Sequence, residues 1–94
     1  MKMNKSDLVI KISRKHAHFK RVDIEEATDQ LTGFISNALS RNNRIEIRGF
    51  GTFSTRKRDA RLARNPKTGS SIAVNSKFYP YFRASKLLRQ LVNN

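Results

Sequence analysis

The chain has 94 residues, no cysteine, 20 Lys and Arg against 7 Asp and Glu, and a formal net charge of +13. That length suits one domain, the lack of cysteine excludes disulfides, thiolate metal sites and thiol catalysis, and no apolar run nears the roughly 20 residues of a membrane span. The excess charge is lopsided: residues 1–47 carry a net +3 and residues 48–94 a net +10. Self-repulsion of that size opposes compaction, so a polyanionic partner is expected on the second half. The first residues, Met1 to Asp7, lack the apolar stretch of a secretory signal, and the expectation is an intracellular protein.

Helical signals come first. Asn4 caps a helix, with Asp7 near the positive end of its dipole and Leu8, Val9 and Ile12 at helical spacing. The helix is expected to end near Arg14 to His16, followed by a polar stretch to Lys20. Asp23 and Glu26 then read as a capping-box variant. From there Ile24, Ala27, Leu31, Phe34, Ile35, Ala38 and Leu39 recur every three or four residues, an apolar stripe on a helix of about five turns. Gly33 inside it costs about 1 kcal/mol against Ala unless close packing uses it. The stripe is wide for a helix with only short neighbours, which points to a partner subunit. Arg41-Asn42-Asn43 stops the helix, Asn being suited to a left-handed cap.

At Arg44 the period changes to two. Ile45 and Ile47 alternate with Arg44, Glu46 and Arg48, as in a half-buried strand. Gly49-Phe50-Gly51 makes a tight corner and Thr52 to Thr55 a second strand. Residues 56–76 differ in kind, with Leu62, Ile72 and Val74 as their only large aliphatic residues. Up to Lys67 this segment carries six cations, Arg56, Lys57, Arg58, Arg61, Arg64 and Lys67, against the single acid Asp59. Asn65-Pro66-Lys67-Thr68-Gly69 is a turn signal. The segment reads as a two-stranded ribbon that cannot bury a core of its own and projects from the body. Lys77 to Phe82 returns to the body as an edge strand, because Pro80 cannot sit in a central one. Leu87, Leu88, Leu91 and Val92 give a short last helix its apolar face. With about 20 residues in the ribbon, about 75 remain for the body, near the size at which a single core becomes marginal. Dimerisation through the second helix would supply the missing burial.

No enzyme emerges. Gly49-Phe50-Gly51 lacks the third Gly of a dinucleotide loop and precedes a strand, so it reads as a turn. His16 and His18 have no third ligand nearby, so no metal is expected. The acids are scattered and no Ser/His/Asp set is evident; neither a cofactor nor a small-molecule substrate is implied. The ribbon carries the chemistry. It is narrow enough for a DNA groove, its cations can pair with phosphates or line a narrow minor groove, and a Pro at its tip is a rigid wedge for a base step. Phe50, Phe53, Phe78 and Phe82 flank Gly and Pro corners and are expected inside the protein, not stacked on bases. Two other readings share the charge: an RNA-binding or ribosome-associated basic protein, and an adaptor for acidic proteins.

The run Arg44-Ile45-Glu46-Ile47-Arg48-Gly49-Phe50-Gly51-Thr52-Phe53, then Arg58, Arg61 and Arg64-Asn65-Pro66-Lys67-Thr68-Gly69, resembles the bacterial HU/IHF family of DNA-bending proteins. Pro80, Phe82-Arg83, Lys86 and the N-terminal Asn4 to Leu8 extend the likeness along the whole chain. The stretch from Arg44 to Gly51 is most similar to the β subunit of integration host factor. Ala63 and Ser85 depart from the family pattern, which usually has Gly at both places.

The resemblance implies an α+β fold: an intertwined dimer with a helical base, an antiparallel β-sheet saddle and protruding two-stranded β-ribbon arms. It places a dimerisation region at about 4–41, sheet and arm at about 44–82 and a last helix at about 84–92. Leu31, Phe34, Ile35, Ala38, Leu39, Phe50, Phe53 and Phe82 would form the dimer core. The implied partners are double-stranded DNA and a second chain, either a copy or a related α-type subunit, in the cytoplasm at the bacterial nucleoid. Arg56, Arg58, Arg61, Arg64, Asn65 and Lys67 would contact the minor groove or backbone, and Pro66 would intercalate. Arg44, Glu46 and Arg48 would lie where the body meets DNA, and Lys5, Arg83 and Lys86 would hold flanking phosphates. The implied role is to bend DNA and organise the chromosome, without bond chemistry.

Overall fold

The computed structural model describes residues 2–93, which form two compact units divided between residues 37 and 38. The first unit opens with helix α1, Lys5–Lys15. The N–H of Asn4 donates to the Asp7 carboxylate at 3.0 Å, the acidic half of a capping box. Val9 is 1% exposed and is the only fully buried side chain among the described residues. Phe19 N–H returns to the His16 carbonyl at 3.0 Å and closes the turn that follows.

Helix α2, Arg21–Ser40, begins three residues before the start that a cap at Asp23 implies. The proposed capping box at Asp23 and Glu26 is therefore not the cap. Asp23 and Ile24 N–H groups both reach the Lys20 carbonyl, so Asp23 stands inside the first turn. Its charge still faces the positive helix end, which favours an acid at either position. The hydroxyls of Thr28, Thr32 and Ser36 donate to the carbonyls of Ile24, Thr28 and Thr32 at 2.8, 3.1 and 2.9 Å. These polar groups are satisfied within the helix and need no water. The apolar stripe is only partly covered: Ile24, Ile35, Ala38 and Leu39 are half-buried, while Leu31 is 58% and Phe34 69% exposed. Space is open around the position of a Cβ on Gly33, so no packing within the chain requires a glycine there.

In the second unit α2 ends as anticipated. Asn42 takes φ 62°, its N–H bonds Leu39 O at 2.9 Å, and Asn43 N–H bonds Ala38 O at 2.9 Å. That is a Schellman closure with Asn in the left-handed position. Strands β1 (Ile45–Ile47), β2 (Gly51–Arg58) and β5 (Lys77–Ala84) form an antiparallel sheet in the order β1-β2-β5. Strands β3 (Arg61–Arg64) and β4 (Ser71–Val74) pair separately as a two-stranded ribbon. Pro80 sits on the edge strand, where a missing N–H is tolerated.

Register sorts the side chains. Ile45, Phe53 and Phe82 form one row across the sheet, and Ile47, Gly51 and Ala84 another on the same face. Phe50 joins them, with ring centroids 5.2 Å from Phe82 and Phe53 4.7 Å from Phe82. The tight turn behind this cluster needs both of its glycines. Gly49 has φ +82°, and a Cβ on Gly51 would lie 2.4 Å from the Phe82 ring and 2.6 Å from the Arg83 carbonyl. Three of the four phenylalanines expected inside depart from that expectation in the single chain: Phe50 and Phe82 touch each other yet stay 44% and 38% exposed, and Phe78 departs furthest. It shares this face, paired with Lys57, but lies beyond the end of β1 and stays 65% exposed. Helix α3, Lys86–Val92, is capped by Ser85, whose Oγ accepts Leu88 N–H at 3.0 Å and donates to Gly49 O at 2.9 Å. This serine ties the helix start to the turn. Leu87, Leu91 and Val92 remain exposed. No helix among the described residues is long and apolar enough to cross a membrane.

Candidate nucleic-acid interface

The sheet face opposite the phenylalanines is polar by alternation. Glu46, Thr52 and Arg83 form one row on it, and Ser54–Tyr81, Arg56–Tyr79 and Arg58–Lys77 continue it toward the ribbon. Arg44, Glu46, Arg83, Lys86 and Arg89 line one open cleft at the body end of this face. Arg44 also lines a neighbouring cleft with Arg56. Five expected site residues, Arg44, Glu46, Arg56, Arg83 and Lys86, are therefore drawn to one side of the second unit. Arg89 was not anticipated. It stands three residues after Lys86 on α3, and that helical spacing was the available signal. Arg48 lies in the turn between β1 and β2 and does not line the cleft.

The ribbon continues β2 and β5 after a break at Asp59-Ala60 and Asn75-Ser76. Arg61 pairs with Val74 and Arg64 with Ser71, so the two arginines lie on opposite ribbon faces. Leu62, Ile72 and Pro66 are exposed, and the segment is not folded into a core. The tip is preformed. Asn65 N–H bonds Ser70 O at 2.9 Å and Gly69 N–H bonds Asn65 O at 2.7 Å. The Asn65 side chain accepts Lys67 N–H at 2.9 Å, an Asx turn spanning Pro66. Gly69 supplies the positive φ, +74°. Asn65 thus shapes the loop that presents Pro66 and Lys67.

Lys5 belongs to the first unit and is already engaged. Its ammonium donates to Asp29 Oδ1 at 2.7 Å. That hydrogen bond, with the attraction of the same carboxylate, raises the Lys5 pKa above its ordinary 10.5. A raised lysine pKa means that the stabilisation is fully present below the ordinary value and is lost only as pH climbs through the raised one. Both partners are about half exposed, 53% and 52%, where such pairs are screened and weak. A phosphate can therefore displace Asp29 cheaply. Asp29→Asn is expected to tighten binding to a polyanion and to steepen the log–log salt dependence by about 0.9 for each phosphate Lys5 gains. A titration at several salt concentrations checks this; an unchanged slope and affinity would remove Lys5 from the interface.

The model of the family described as bacterial DNA-binding protein matches residues 3–93. A cocrystal structure of Anabaena HU with DNA is similar to this chain at 33% identity and a TM-score of 0.87, over 96% of this chain and 97% of that one. A variant of HU from Thermotoga maritima is 27% identical with a TM-score of 0.70, over 96% and 99% of the two chains. The HU of that organism itself, at 24% identity and a TM-score of 0.66 over 96% and 98%, shares the fold.

Proposed function

The chain belongs to the bacterial DNA-binding protein family, and from that membership we propose that it is an architectural protein that binds duplex DNA, bends it and holds the bend. One observation carries the reading: a cationic ribbon outside any core ends in a preformed loop that presents Pro66 to solvent. A similar HU chain is recorded in complex with DNA, and the ribbon's dimensions suit a groove. Arg56, Arg58, Arg61, Arg64 and Lys67 contact the groove or its phosphates, with Asn65 shaping the tip. Arg44, Glu46, Arg48, Arg83 and Lys86, joined by Arg89, meet the DNA at the body, and Lys5 takes a flanking phosphate. Bending a short site costs on the order of 1–6 kcal/mol, more when stacking breaks. Contacts along the wrapped flanks offset that cost. No bond is made or broken, and no cofactor is used.

The working unit is a dimer. Residues of about 4–41 form its base, and Leu31, Phe34, Ile35, Ala38, Leu39, Phe50, Phe53 and Phe82 each meet the partner. The second chain is a copy or a related α-type subunit; the Arg44 to Gly51 run favours the integration-host-factor branch. Its place is the cytoplasm, at the bacterial nucleoid, where it organises the chromosome. Affinity for duplex DNA is expected to fall with a log–log salt slope of about −0.9 per neutralised phosphate. A flat response in an anisotropy titration refutes the phosphate clamp. Competition between nicked duplex DNA and structured RNA separates this reading from an RNA-binding one.

A further inference from the structure

We propose that Tyr79 and Tyr81 are positioning residues for DNA binding, holding Arg56 and Arg58 in a cation–π ladder across the polar face of the sheet. The inference rests on the DNA-binding function proposed above. The guanidinium of Arg56 lies 3.7 Å from the Tyr81 ring centroid and that of Arg58 lies 5.3 Å from the Tyr79 centroid. Neither pair is directly opposite in register: Arg56 faces Tyr79 and Arg58 faces Lys77. Each arginine therefore leans diagonally by one row, and both lean the same way, from the ribbon toward the body. Like charges directly opposite repel, and this lean carries the Arg58 charge away from Lys77.

The chemistry suits a positioning role. A guanidinium is planar, its faces stack on a ring, and its five N–H donors point outward in its own plane. Stacking consumes the faces and leaves the edges for phosphate oxygens. Lys5 shows the contrasting arrangement, in which the partner Asp29 occupies the donor itself. A long arginine side chain loses rotamer freedom when it is pinned by a ligand. Tyr81 and Tyr79 remove that freedom before DNA arrives, so less is lost on binding. The strand alternation that places Tyr79 and Tyr81 on this face also keeps both away from the Phe53–Phe82 cluster.

Two measurements on the full chain test the ladder. In the free protein, ring current is expected to shift the Arg56 side-chain protons upfield; the shift is lost in Tyr81→Leu and kept in Tyr81→Phe. In anisotropy titrations with duplex DNA, Tyr81→Leu is expected to bind about two- to fivefold more weakly, the range of an exposed cation–π contact. Tyr81→Phe, which retains the ring, restores binding, and Tyr81→Leu adds nothing in an Arg56→Ala background. Additive losses in that double mutant would mean that the tyrosine touches DNA itself, and would overturn the positioning role. Equal behaviour of Tyr81→Leu and Tyr81→Phe, or an unshifted Arg56 spectrum, overturns the ladder while DNA binding by the unmodified chain stands. An unmodified chain that ignores duplex DNA overturns the proposed function, and this inference with it.

Discussion

Replacing Phe34 with aspartate is expected to leave a chain that no longer pairs, and therefore no longer binds DNA, at micromolar concentration. The argument begins with what a single chain buries. Val9 is its only fully buried side chain among the described residues, and α2 holds none. A core of that size cannot offset the conformational entropy of some ninety residues. Phe34 belongs to the stripe from Ile24 to Leu39 and is its most exposed large side chain, 69% in the single chain. Covering a phenylalanine contributes about 1.5–3 kcal/mol, and in a symmetric interface each substitution acts twice. A buried, unpaired carboxylate adds its own desolvation cost. Together these weaken association by about a thousandfold or more. Sedimentation equilibrium and circular dichroism against concentration read this directly. Gly33 supplies the control, since it lies on the side of α2 opposite the stripe, with open space around it. Gly33→Ala should raise helix stability by about 1 kcal/mol and keep the dimer. A folded, monomeric Phe34→Asp chain with full DNA affinity would overturn the dimer reading.

What could be read from the sequence, and what could not, divides by range. The stripe on α2, the switch to a period of two at Arg44 and the tip at Asn65 to Gly69 are written in neighbouring residues, because local backbone preferences and one buried face decide them. Asn42 in the left-handed position is of the same kind. The start of α2 was misplaced because Asp is nearly as favourable inside the first turn as at the cap, and only the bonds to the Lys20 carbonyl separate the two. The Pro80 corner beside Phe78 points to an interior place for that ring. Its exposure follows from the three-residue length of β1, which leaves the outer rows of β2 and β5 without a neighbour. The Arg56–Tyr81 and Arg58–Tyr79 cation–π contacts need the register of two strands far apart in sequence. The Lys5–Asp29 pair needed the return of α2 to α1. Charge content directs the expectation of an anionic partner to the second half; only strand pairing shows which cations share a face.

Replacing Pro66 with alanine is expected to reduce bending far more than affinity. The Asx turn from Asn65 to Lys67 and the Gly69 N–H bond to Asn65 O hold the loop without help from the pyrrolidine ring. The variant should therefore keep its tip and lose only the wedge. Opening a stacked step costs a few kcal/mol, and the inserted ring recovers part of that by apolar contact and by the wrapping that the kink permits. Removing the wedge deletes the cost and the recovery together, so the two largely cancel in the binding free energy. The charges of Arg61, Arg64 and Lys67 remain to hold phosphates. The bend has no such compensation, because smooth bending of a stiff duplex over so short a site does not reproduce a kink. Fluorescence transfer between dyes at the ends of a duplex should report a bend reduced by roughly half or more, with affinity lower by only about two- to tenfold. An unchanged bend angle would show that the tip lies along the groove without entering the base stack. Parallel loss of bend and affinity would place the binding energy in the ring itself, not in the flanking phosphate contacts.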